Sequence, residues 1–508
     1  MLAETRKEPV DLPGRDPPPA AGRAPAAAWP LALICLGAVV VRALTFILQP
    51  DVVWPDETFQ ATEQALRLLT GQGMTPWEFQ IGARSWILPG LALPWVAIGR
   101  ALSTDPRTVY GLIGAVMIAV AVVNVWSAYV IGARIGRLQA LFAAGLAAGW
   151  CELVYYSPHL LPDTVAGALL LAALALASGR HEPRRLVWIG VLLGSAFVVR
   201  VQLAPAIAVV GLAACRGAVL KRGSWLAAGF LLPVAFLGGL DWLTWGAPFR
   251  SVLVYVRTNL GGVASAFGVT PPLAYLGTER SIWGPALALI IATATLGAKR
   301  APTTLAVALV VLFTFSAVGH KEPRFIYPAL LPLFVTCGIG TVELAQEIGR
   351  RLRAPQARRL VPWGLALVWA AASAGAGLSA AMRPFWTRET DVLSALAAVN
   401  GDPAACGLGL DAPEWVLSGQ SRLRRDIPLY DGAEAPIAAY NRLLRLPGPG
   451  RPLAAYAARR FTQRGCYGSA GVCLYQRAGG CASGAAPLRA VTAPAVRATL
   501  EKLGFTVY

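Results

Sequence analysis

Several stretches of the chain run for 17 residues or more without a charged side chain. A helix rises about 1.5 Å per residue and the hydrocarbon core of a bilayer is about 30 Å thick, so such runs are long enough to span a membrane. Only 14% of the residues are charged and 56% are hydrophobic, whereas about a quarter of an average soluble protein is charged. The sequence therefore predicts an all-α polytopic membrane protein and excludes a soluble domain. Examples of such runs are residues 108–131, 282–298, 302–318 and 361–381.

The basic residues are placed as in a membrane protein. The chain has 45 Lys and Arg against 27 Asp and Glu, a net charge of +18, and such an excess can mark a nucleic-acid partner. Here the cations fall in short clusters between apolar runs, which is typical of cytoplasmic loops. We therefore expect no nucleic-acid partner. The clusters are Arg134/Arg137, Arg180/Arg184/Arg185, Arg216/Lys221/Arg222, Lys299/Arg300 and Arg350/Arg351/Arg353/Arg358/Arg359.

The positions of these clusters predict the topology. Residues 1–29 are expected to form a disordered, positively charged cytoplasmic tail. Residues 30–381 then cross the membrane about eleven times, and parity makes residues 86–102 an interfacial or re-entrant helix. Residues 382–508 are expected to form a periplasmic domain of a multi-pass inner (plasma) membrane protein. The two long outward loops are residues 49–107 and 241–280.

The C-terminal domain is predicted to be a small extracytoplasmic α/β module. It contains four cysteines, which in such a compartment predict disulfides with three possible pairings. No CxxC pair or nearby His accompanies them, so metal binding is the weaker interpretation. The four residues are Cys406, Cys466, Cys473 and Cys481.

The first outward loop contains the densest group of polar residues. Pro55 favours a helix start, which puts Asp56 and Glu57 in the first turn, with Gln60 and Glu63 on the same face at helical spacing. Two outward carboxylates at a helix start suit a general base. An ordinary capped surface helix is the alternative.

A second group of charges, His320-Lys321-Glu322-Pro323-Arg324-Phe325, lies between two apolar runs. Charges at a membrane boundary are costly unless they pair or bind a ligand. Lys321 and Arg324 suit an anionic group such as phosphate, and Glu322 can hold one of them. The alternative is an outward loop whose side chains extend to the membrane interface.

Weaker signals lie elsewhere on the outward side. Arg200 is an intramembrane cation and thus a functional candidate whose partner stays open. His159 and Asp163 are four residues apart, but Pro158 and Pro162 favour an irregular loop, and one His with one Asp is weak evidence for a metal. Nucleotide and metalloprotease motifs are absent, so we expect that no cofactor is required and that no metal is indicated.

Two motifs resemble glycosyltransferase family 22, the lipid-phosphate-mannose-dependent mannosyltransferases that assemble N-glycan and GPI-anchor precursors. The resemblance covers residues 30–345, and the later outward loop is also similar at Asp241, Gly246 and Asn259. The first motif is Pro55-Asp56-Glu57-x-Phe59-Gln60-x-x-Glu63, with Thr75-x-Trp77-Glu78-Phe79 and Arg84-Ser85 after it. The second is His320-Lys321-Glu322-x-Arg324-Phe325-x-x-Pro328.

The resemblance implies a GT-C fold, in which outward loops of a helical bundle form the active site. It also implies an inverting transfer from a polyprenyl-phosphate sugar to a glycan or glycolipid acceptor, beside membrane lipid. The Ala-, Gly- and Arg-rich composition is typical of a bacterial chain, which would use undecaprenyl or another polyprenyl rather than dolichol. The implied residues are Asp56 as base with Glu57 second, Lys321 and Arg324 as phosphate ligands helped by His320 and Arg84, and Glu322, Glu63 and Arg200 in support.

Three other interpretations compete with this one. A transferase for a different polyprenyl-linked sugar would share the motifs. A flippase for lipid-linked sugars would require broken helices and internal repeats at mid-membrane, which the sequence lacks. An assembly subunit with a degenerate site conflicts with the intact acidic and basic motifs.

Overall fold

The structure is a computed structural model that describes residues 29–179, 181–411, 419–424, 426–446, 452–468, 471–482 and 484–507. The predicted N-terminal tail lies outside the described residues except for Trp29, which begins the first helix. Arg180 of the second basic cluster also lies outside them.

Helices dominate the first three quarters of the chain. Several of them begin with a proline in the first turn, where the missing N–H costs nothing because it would have no partner within the helix. The helices are α1 Trp29–Leu48, α2 Pro55–Glu57, α3 Glu63–Thr70, α4 Trp77–Ile81, α5 Ile87–Leu102, α6 Pro106–Ala133, α7 Arg137–Gly149, α8 Cys151–Tyr156, α9 Pro162–Ala177, α10 Pro183–Val199, α11 Ala204–Cys215, α12 Val219–Trp245, α13 Arg250–Leu260, α14 Ala274–Trp283, α15 Ala286–Ala298, α16 Pro302–Ala317, α17 Tyr327–Arg351 and α18 Pro355–Gly377.

Among the described residues, five helices are long and apolar enough to cross a membrane: α1, α6, α12, α17 with the turn before it, and α18. The pair α14 and α15 adds a sixth if it forms one span bent by 112°. The other apolar helices of the bundle have at most 17 residues, because breaks divide runs that look continuous in sequence. The chain is thus a multi-pass membrane protein, and eleven crossings stay a prediction.

Helix α17 lies at the centre of the bundle. Of its most apolar 18-residue window, 89% is buried. Gly340 lies against the backbone of Thr293 in α15, and Gly338 lies against the backbone of Ala143 in α7, so that a Cβ at either glycine would clash. Small residues therefore let three helices approach at backbone distance, as is common in membrane bundles.

A buried arginine joins α1 to the break between α7 and α8. Arg42 is 1% exposed. Its guanidinium donates to the carbonyls of Ala147 at 3.0 Å and Ala148 at 2.7 Å, to Leu153 O at 3.4 Å and to Ser157 Oγ at 2.7 Å. These acceptors are mostly helix-end carbonyls, which otherwise would lack donors.

Both predicted outward loops are largely helical. The first contains α2 to α5, including α5 where an interfacial or re-entrant helix was expected. The later one is not a free loop from its start, because Asp241 lies inside α12 and accepts from the Ser251 backbone N–H at 2.8 Å and hydroxyl at 2.6 Å. This contact connects the first turn of α13 to α12.

The C-terminal region combines short helices with β-strands. Its elements are α19 Arg383–Trp386, α20 Thr390–Asn400, α21 Leu453–Ala457 and α22 Pro494–Lys502, with β1 Thr75–Pro76 of the first loop, β2 Leu408–Asp411, β3 Leu429–Asp431, β4 Arg442–Arg445, β5 Thr462–Tyr467, β6 Val472–Gln476 and β7 Ala490–Val491. Five of the strands form a mixed sheet with the order β3-β2-β4-β6-β5, and β7 pairs in parallel with β1. Two disulfides join Cys406 to Cys481 and Cys466 to Cys473, so the predicted disulfides are present.

Candidate active site

The predicted helix start at Pro55 is present, but the helix does not continue regularly. After the three residues of α2 the backbone forms a π-helical turn over Thr58–Thr62 before α3 begins. This turn shifts the register, so Asp56 and Glu63 do not share one face as predicted. Their carboxylates have different partners in different parts of the structure.

Asp56 lies beside Arg324, which three carboxylates surround. The guanidinium contacts Asp56 Oδ2 at 2.5 Å through Nη2, Asp163 Oδ2 at 3.2 Å through Nη1 and Glu322 Oε2 at 2.6 Å through Nε. Arg324 is only 3% exposed. The structure therefore brings the predicted base and a predicted phosphate ligand together, as the two motifs required, in a cluster that is largely closed to water.

Arg200 belongs to the same cluster. Its Nε lies 3.0 Å from Asp163 Oδ1, which identifies the partner that the sequence left open. The ring of Phe325 lies 4.6 Å from the Arg200 guanidinium and 5.0 Å from that of Arg324, and Trp54 lies 5.7 Å from the latter. Aromatic faces attract cations, so these rings help to hold both arginines.

The basic motif separates into two parts. Glu322 binds Arg324 and, through Oε1, His320 Nε2 at 2.8 Å, as expected of a residue that orients cations. Lys321 differs from the prediction, because its Nζ donates to the carbonyls of Val318 at 2.5 Å and Thr270 at 3.3 Å. Lys321 therefore does not join the Arg324 cluster.

The charge of Arg84 also acts on Asp56, and Arg84 lines a small pocket that has both polar and apolar walls. Its guanidinium lies over the ring of Tyr255 at 4.9 Å, and its buried Nε has no hydrogen-bond partner among the described residues. Burying such a donor unpaired is costly, which favours an anionic ligand there. The polar residues lining the pocket are Gln60, Arg84, Ser85, Gln202, Ser251 and Tyr255.

The other two acidic residues of the first motif are engaged elsewhere. Glu57 accepts from Arg422 Nη2 at 3.1 Å and contacts His159 Nδ1 at 2.8 Å. Glu63 accepts three backbone N–H groups, those of Met74 at 2.7 Å, Gln420 at 2.9 Å and Ser421 at 2.8 Å. Neither carboxylate faces the Arg324 cluster, so the geometry favours Asp56 over Glu57 as the base.

The pKa of Asp56 is lowered from its ordinary value. Burial alone would raise it, but the charges of Arg324 and Arg84 outweigh burial. Asp56 is therefore ionised at neutral pH and available to accept a proton. The same two cations make Asp56 a weak base, because they stabilise its ionised form, until another anion neutralises part of their charge.

A neighbouring carboxyl group, that of Asp51, titrates at higher pH. Burial raises the pKa of Asp51 to about 6, although His159 opposes the shift. Burial lowers the pKa of His159, but Glu57 and Asp51 outweigh it and the net shift is upward. His159 is therefore protonated more readily than a free imidazole, because it lies next to the carboxylates of Asp51 and Glu57.

The buried carboxyl group of Glu78 is expected to lower the stability of the folded protein at neutral and higher pH. Burial, opposed by Arg84 and reinforced by Asp56, raises its pKa from 4.5 to about 7. The folded state then binds more protons than the unfolded state between these values, so this group's contribution to stability falls as pH rises from about 4.5 to about 7. We expect Glu78→Gln, which keeps an acceptor for Gln60, to be more stable than wild type at pH 8 by on the order of 2 kcal/mol.

Thermal denaturation of the two proteins in detergent between pH 4.5 and pH 8 measures this effect. The curves should converge at the acidic end and separate as pH rises. Glu501→Gln, on exposed α22, is the control and should follow wild type throughout. A Glu78→Gln offset that does not change with pH would show that burial does not shift this carboxyl.

Sequence reasoning missed several members of the site. Asp163 and His159 stood out only as a weak metal pair, whereas each is an ion-pair partner here. The sequence signal for Asp163 was the proline before it, because Pro162 begins α9 and places Asp163 in the first turn of that helix. Arg422 gave no local signal, because its contact with Glu57 spans 365 residues. Within the part of the chain that the structure describes, no three His, Cys, Asp or Glu side chains are grouped to hold a metal ion.

Comparisons with solved structures show the same fold. ArnT from Cupriavidus metallidurans, in a crystal structure bound to undecaprenyl phosphate, aligns with a TM-score of 0.59 over 89% of this chain and 98% of that one, at 14% identity. Its apo structure gives a TM-score of 0.56. At this identity the likeness shows the fold alone, a mostly helical GT-C-like membrane architecture.

Sequence comparisons identify relatives with related names. GPI mannosyltransferase 3 of Yarrowia lipolytica is 27% identical over 403 residues, which is 74% of this chain and 72% of the relative. GPI mannosyltransferase 3 of Trypanosoma brucei brucei is 26% identical over 340 residues, 55% of this chain and 59% of the relative. The model of the Alg9-like mannosyltransferase family matches residues 32–380 and therefore includes Asp56, Arg84, Arg200 and the basic motif. The predicted family is confirmed: the chain belongs to the Alg9-like mannosyltransferases, glycosyltransferase family 22.

Proposed function

We propose that this protein is an inverting mannosyltransferase that moves mannose from a polyprenyl-phosphate donor to a lipid-linked or cell-envelope glycan. The observation that carries the proposal is the ionised Asp56 carboxylate held between Arg324 and Arg84, with an unpaired buried donor on Arg84. A base beside an anion site is what such a transfer needs.

The reaction needs one base and no general acid. Asp56 takes the proton of the acceptor hydroxyl, whose oxygen bonds to the anomeric carbon from the face opposite the phosphate. The bond between that carbon and the phosphate oxygen breaks, and its electron pair stays on the departing polyprenyl phosphate. Inversion follows from this single displacement.

We assign the donor phosphate to the pocket beside Arg84. Arg324 is already bonded to three carboxylates, whereas Arg84 has a free Nε next to the polar groups of Gln202 and Tyr255. A phosphate there would neutralise part of the positive charge that acts on Asp56. The pKa of Asp56 would then rise, so donor binding itself would strengthen the base.

The remaining predicted ligands take secondary roles in this proposal. Arg324, Arg200 and Glu322 fix the geometry and field around Asp56, and His320 supports Glu322. Lys321, which contacts backbone carbonyls at the loop surface, can reach a donor phosphate only by leaving them. No metal or cofactor is required in this scheme.

We place the site at the outer face of the plasma membrane. The basic clusters between apolar runs mark the opposite side as cytoplasmic, and the disulfides support an extracytoplasmic C-terminal region. This orientation agrees with the proposed eleven crossings, because an odd number of crossings from a cytoplasmic N-terminus puts the C-terminal region outside. It also suits a lipid-linked donor, since soluble nucleotide sugars would be on the other side.

Transfer by the purified protein in detergent tests the function. We expect product from polyprenyl-phosphate-mannose and a pool of mannoside acceptors, with an inverted anomeric centre by NMR. If transfer occurs only from a polyprenyl-phosphate donor that carries glucose, arabinose or an amino sugar, the donor sugar in this proposal changes and the mechanism does not. Absence of transfer from all of these donors, with movement of lipid-linked sugar across proteoliposomes, would favour a flippase instead.

A further inference from the structure

A short turn of the C-terminal region lies directly on the first outward loop. The 3₁₀ turn Gln420–Arg422, here called the docking turn, contacts α2, the π-helical turn and α3. All three of its residues are buried. It reaches residues that follow Asp56 in the chain from more than 350 positions away in sequence.

Glu63 holds the N-terminal end of the docking turn. Its two carboxylate oxygens accept the backbone N–H groups of Gln420 and Ser421, where an anion satisfies donors that a helical turn leaves free. Gly419 permits this approach, because a Cβ there would overlap the Glu63 carboxylate. The backbone of Gly419 is extended, with φ at −89°, so only space requires the glycine.

Arg422 holds the other end of the contact. Its Nη2 donates to Glu57 Oε1 at 3.1 Å and its Nε to Thr58 Oγ1 at 3.2 Å, while its guanidinium lies 3.8 Å from the ring centre of Tyr110. Glu57 also binds His159. Arg422 thus fixes both residues that follow Asp56.

The base lies in the first turn of a helical segment whose hydrogen-bond pattern changes almost at once. Helix α2 passes after three residues into the π-helical turn, and the residue before it makes no side-chain cap hydrogen bond. The orientation of Asp56 therefore depends on contacts from outside the helix. Arg324 holds its carboxylate, and Glu57 and Thr58 hold the backbone next to it.

We propose that Arg422 is a positioning residue for the transfer reaction and that the docking turn, through Glu57 and Glu63, fixes the backbone that presents Asp56. The inference rests on the proposed function, because Asp56 must be the base for its position to matter. Without Arg422, one oxygen of a buried Glu57 loses its cation, and the π-helical turn loses a partner. A displacement of about 1 Å at a reacting group can cost about 100-fold in rate.

Two variants remove the contact by different means. Arg422→Met deletes the cation, whereas Gly419→Ala keeps every charge and pushes Glu63 away. Arg442→Met is the matched control, because Arg442 is equally buried in the same region but pairs with Asp402 at 2.7 Å. Gel filtration in detergent first establishes that each variant is folded.

We expect Arg422→Met to lower kcat by about 10- to 100-fold while KM for the mannose donor stays within about twofold. Gly419→Ala should give a smaller fall of the same kind. Adding Glu57→Gln to Arg422→Met removes the unpaired charge and should recover part of kcat. An equal fall in Arg442→Met, or an unchanged kcat in Arg422→Met, would overturn the proposal.

Amide hydrogen exchange of residues 55–62 separates this inference from the proposed function. Exchange there should be faster in Arg422→Met and Gly419→Ala than in wild type and in Arg442→Met. Unchanged exchange in both docking-turn variants would refute the positioning role even if the enzyme is a mannosyltransferase. If wild type transfers no sugar from any donor while exchange responds as expected, the proposed function fails and the positioning claim fails with it, but the structural contact stands.

Discussion

Asp56→Asn is expected to lower turnover by about 10³-fold, the usual scale for loss of a general base. Asparagine keeps the size of the side chain and an oxygen acceptor for Arg324, but it cannot take the proton of the acceptor hydroxyl. Donor binding at Arg84 should persist, since no cation is removed. The measurement is kcat at saturating polyprenyl-phosphate-mannose, together with equilibrium binding of the donor.

Asp105→Asn is the matched control for this change. Asp105 lies in the same outward loop and caps α6 by accepting from Arg107 N at 2.9 Å, a role that asparagine also performs. Its kcat should equal that of wild type. Undiminished turnover in Asp56→Asn would remove Asp56 as the base and direct attention to Glu78, which titrates near neutral pH and also lies close to Arg84.

Arg324→Met is expected to be the most destabilising single change in the site. It removes the cation that Asp56, Asp163 and Glu322 share, although Asp163 keeps Arg200 and Glu322 keeps His320. Removing one partner of a buried ion pair typically costs about 3–5 kcal/mol, and here three carboxylates share the loss. We expect poor recovery of folded protein, a denaturation temperature lowered by many degrees and no transfer.

Two further variants make this prediction specific. Combining Arg324→Met with Glu322→Gln removes one unpaired charge, so it should restore part of the stability without restoring transfer. Lys321→Met, three residues away, loses only hydrogen bonds to carbonyls and should change stability by about 0.5 kcal/mol or less. If Arg324→Met were as stable as Lys321→Met, the ion cluster would have no structural role.

The sequence predicts the class of fold and the two halves of the site well, for physical reasons. Long apolar runs are stable in the hydrocarbon core of a membrane, which predicts the class of fold. Pro55 begins a helix at the predicted residue, which places the acidic half of the site. The convergence of Asp56 with Arg324, 268 residues apart, was accessible only because the resemblance associated the two motifs. Residue patterns alone give the chemistry of each motif but not the distance between them.

Other features depend on tertiary packing and could not be predicted. No residue propensity in the sequence predicts the π-helical turn at Thr58–Thr62. Because of this turn, Glu63 does not share a helix face with Asp56 and instead contacts the C-terminal region. The orientation of Lys321 follows from the irregular turn between α16 and α17, where its Nζ donates to the carbonyls of Val318 and Thr270. Arg422 is an unremarkable cation in sequence and becomes a contact of the site only when the C-terminal region lies on the first loop.

The buried arginine of α1 bears on how the protein is made. Arginine stays charged in proteins, and insertion of a helix with a central arginine costs roughly 2.5–3.5 kcal/mol for that residue. Apart from Ala38 O in α1 itself, the acceptors of Arg42 lie between residues 147 and 157, which are synthesised more than a hundred residues later. When α1 is inserted, the Arg42 guanidinium therefore still lacks most of its hydrogen-bond acceptors. We expect the position of α1 in the bilayer to become stable only after α7 and α8 have been inserted beside it.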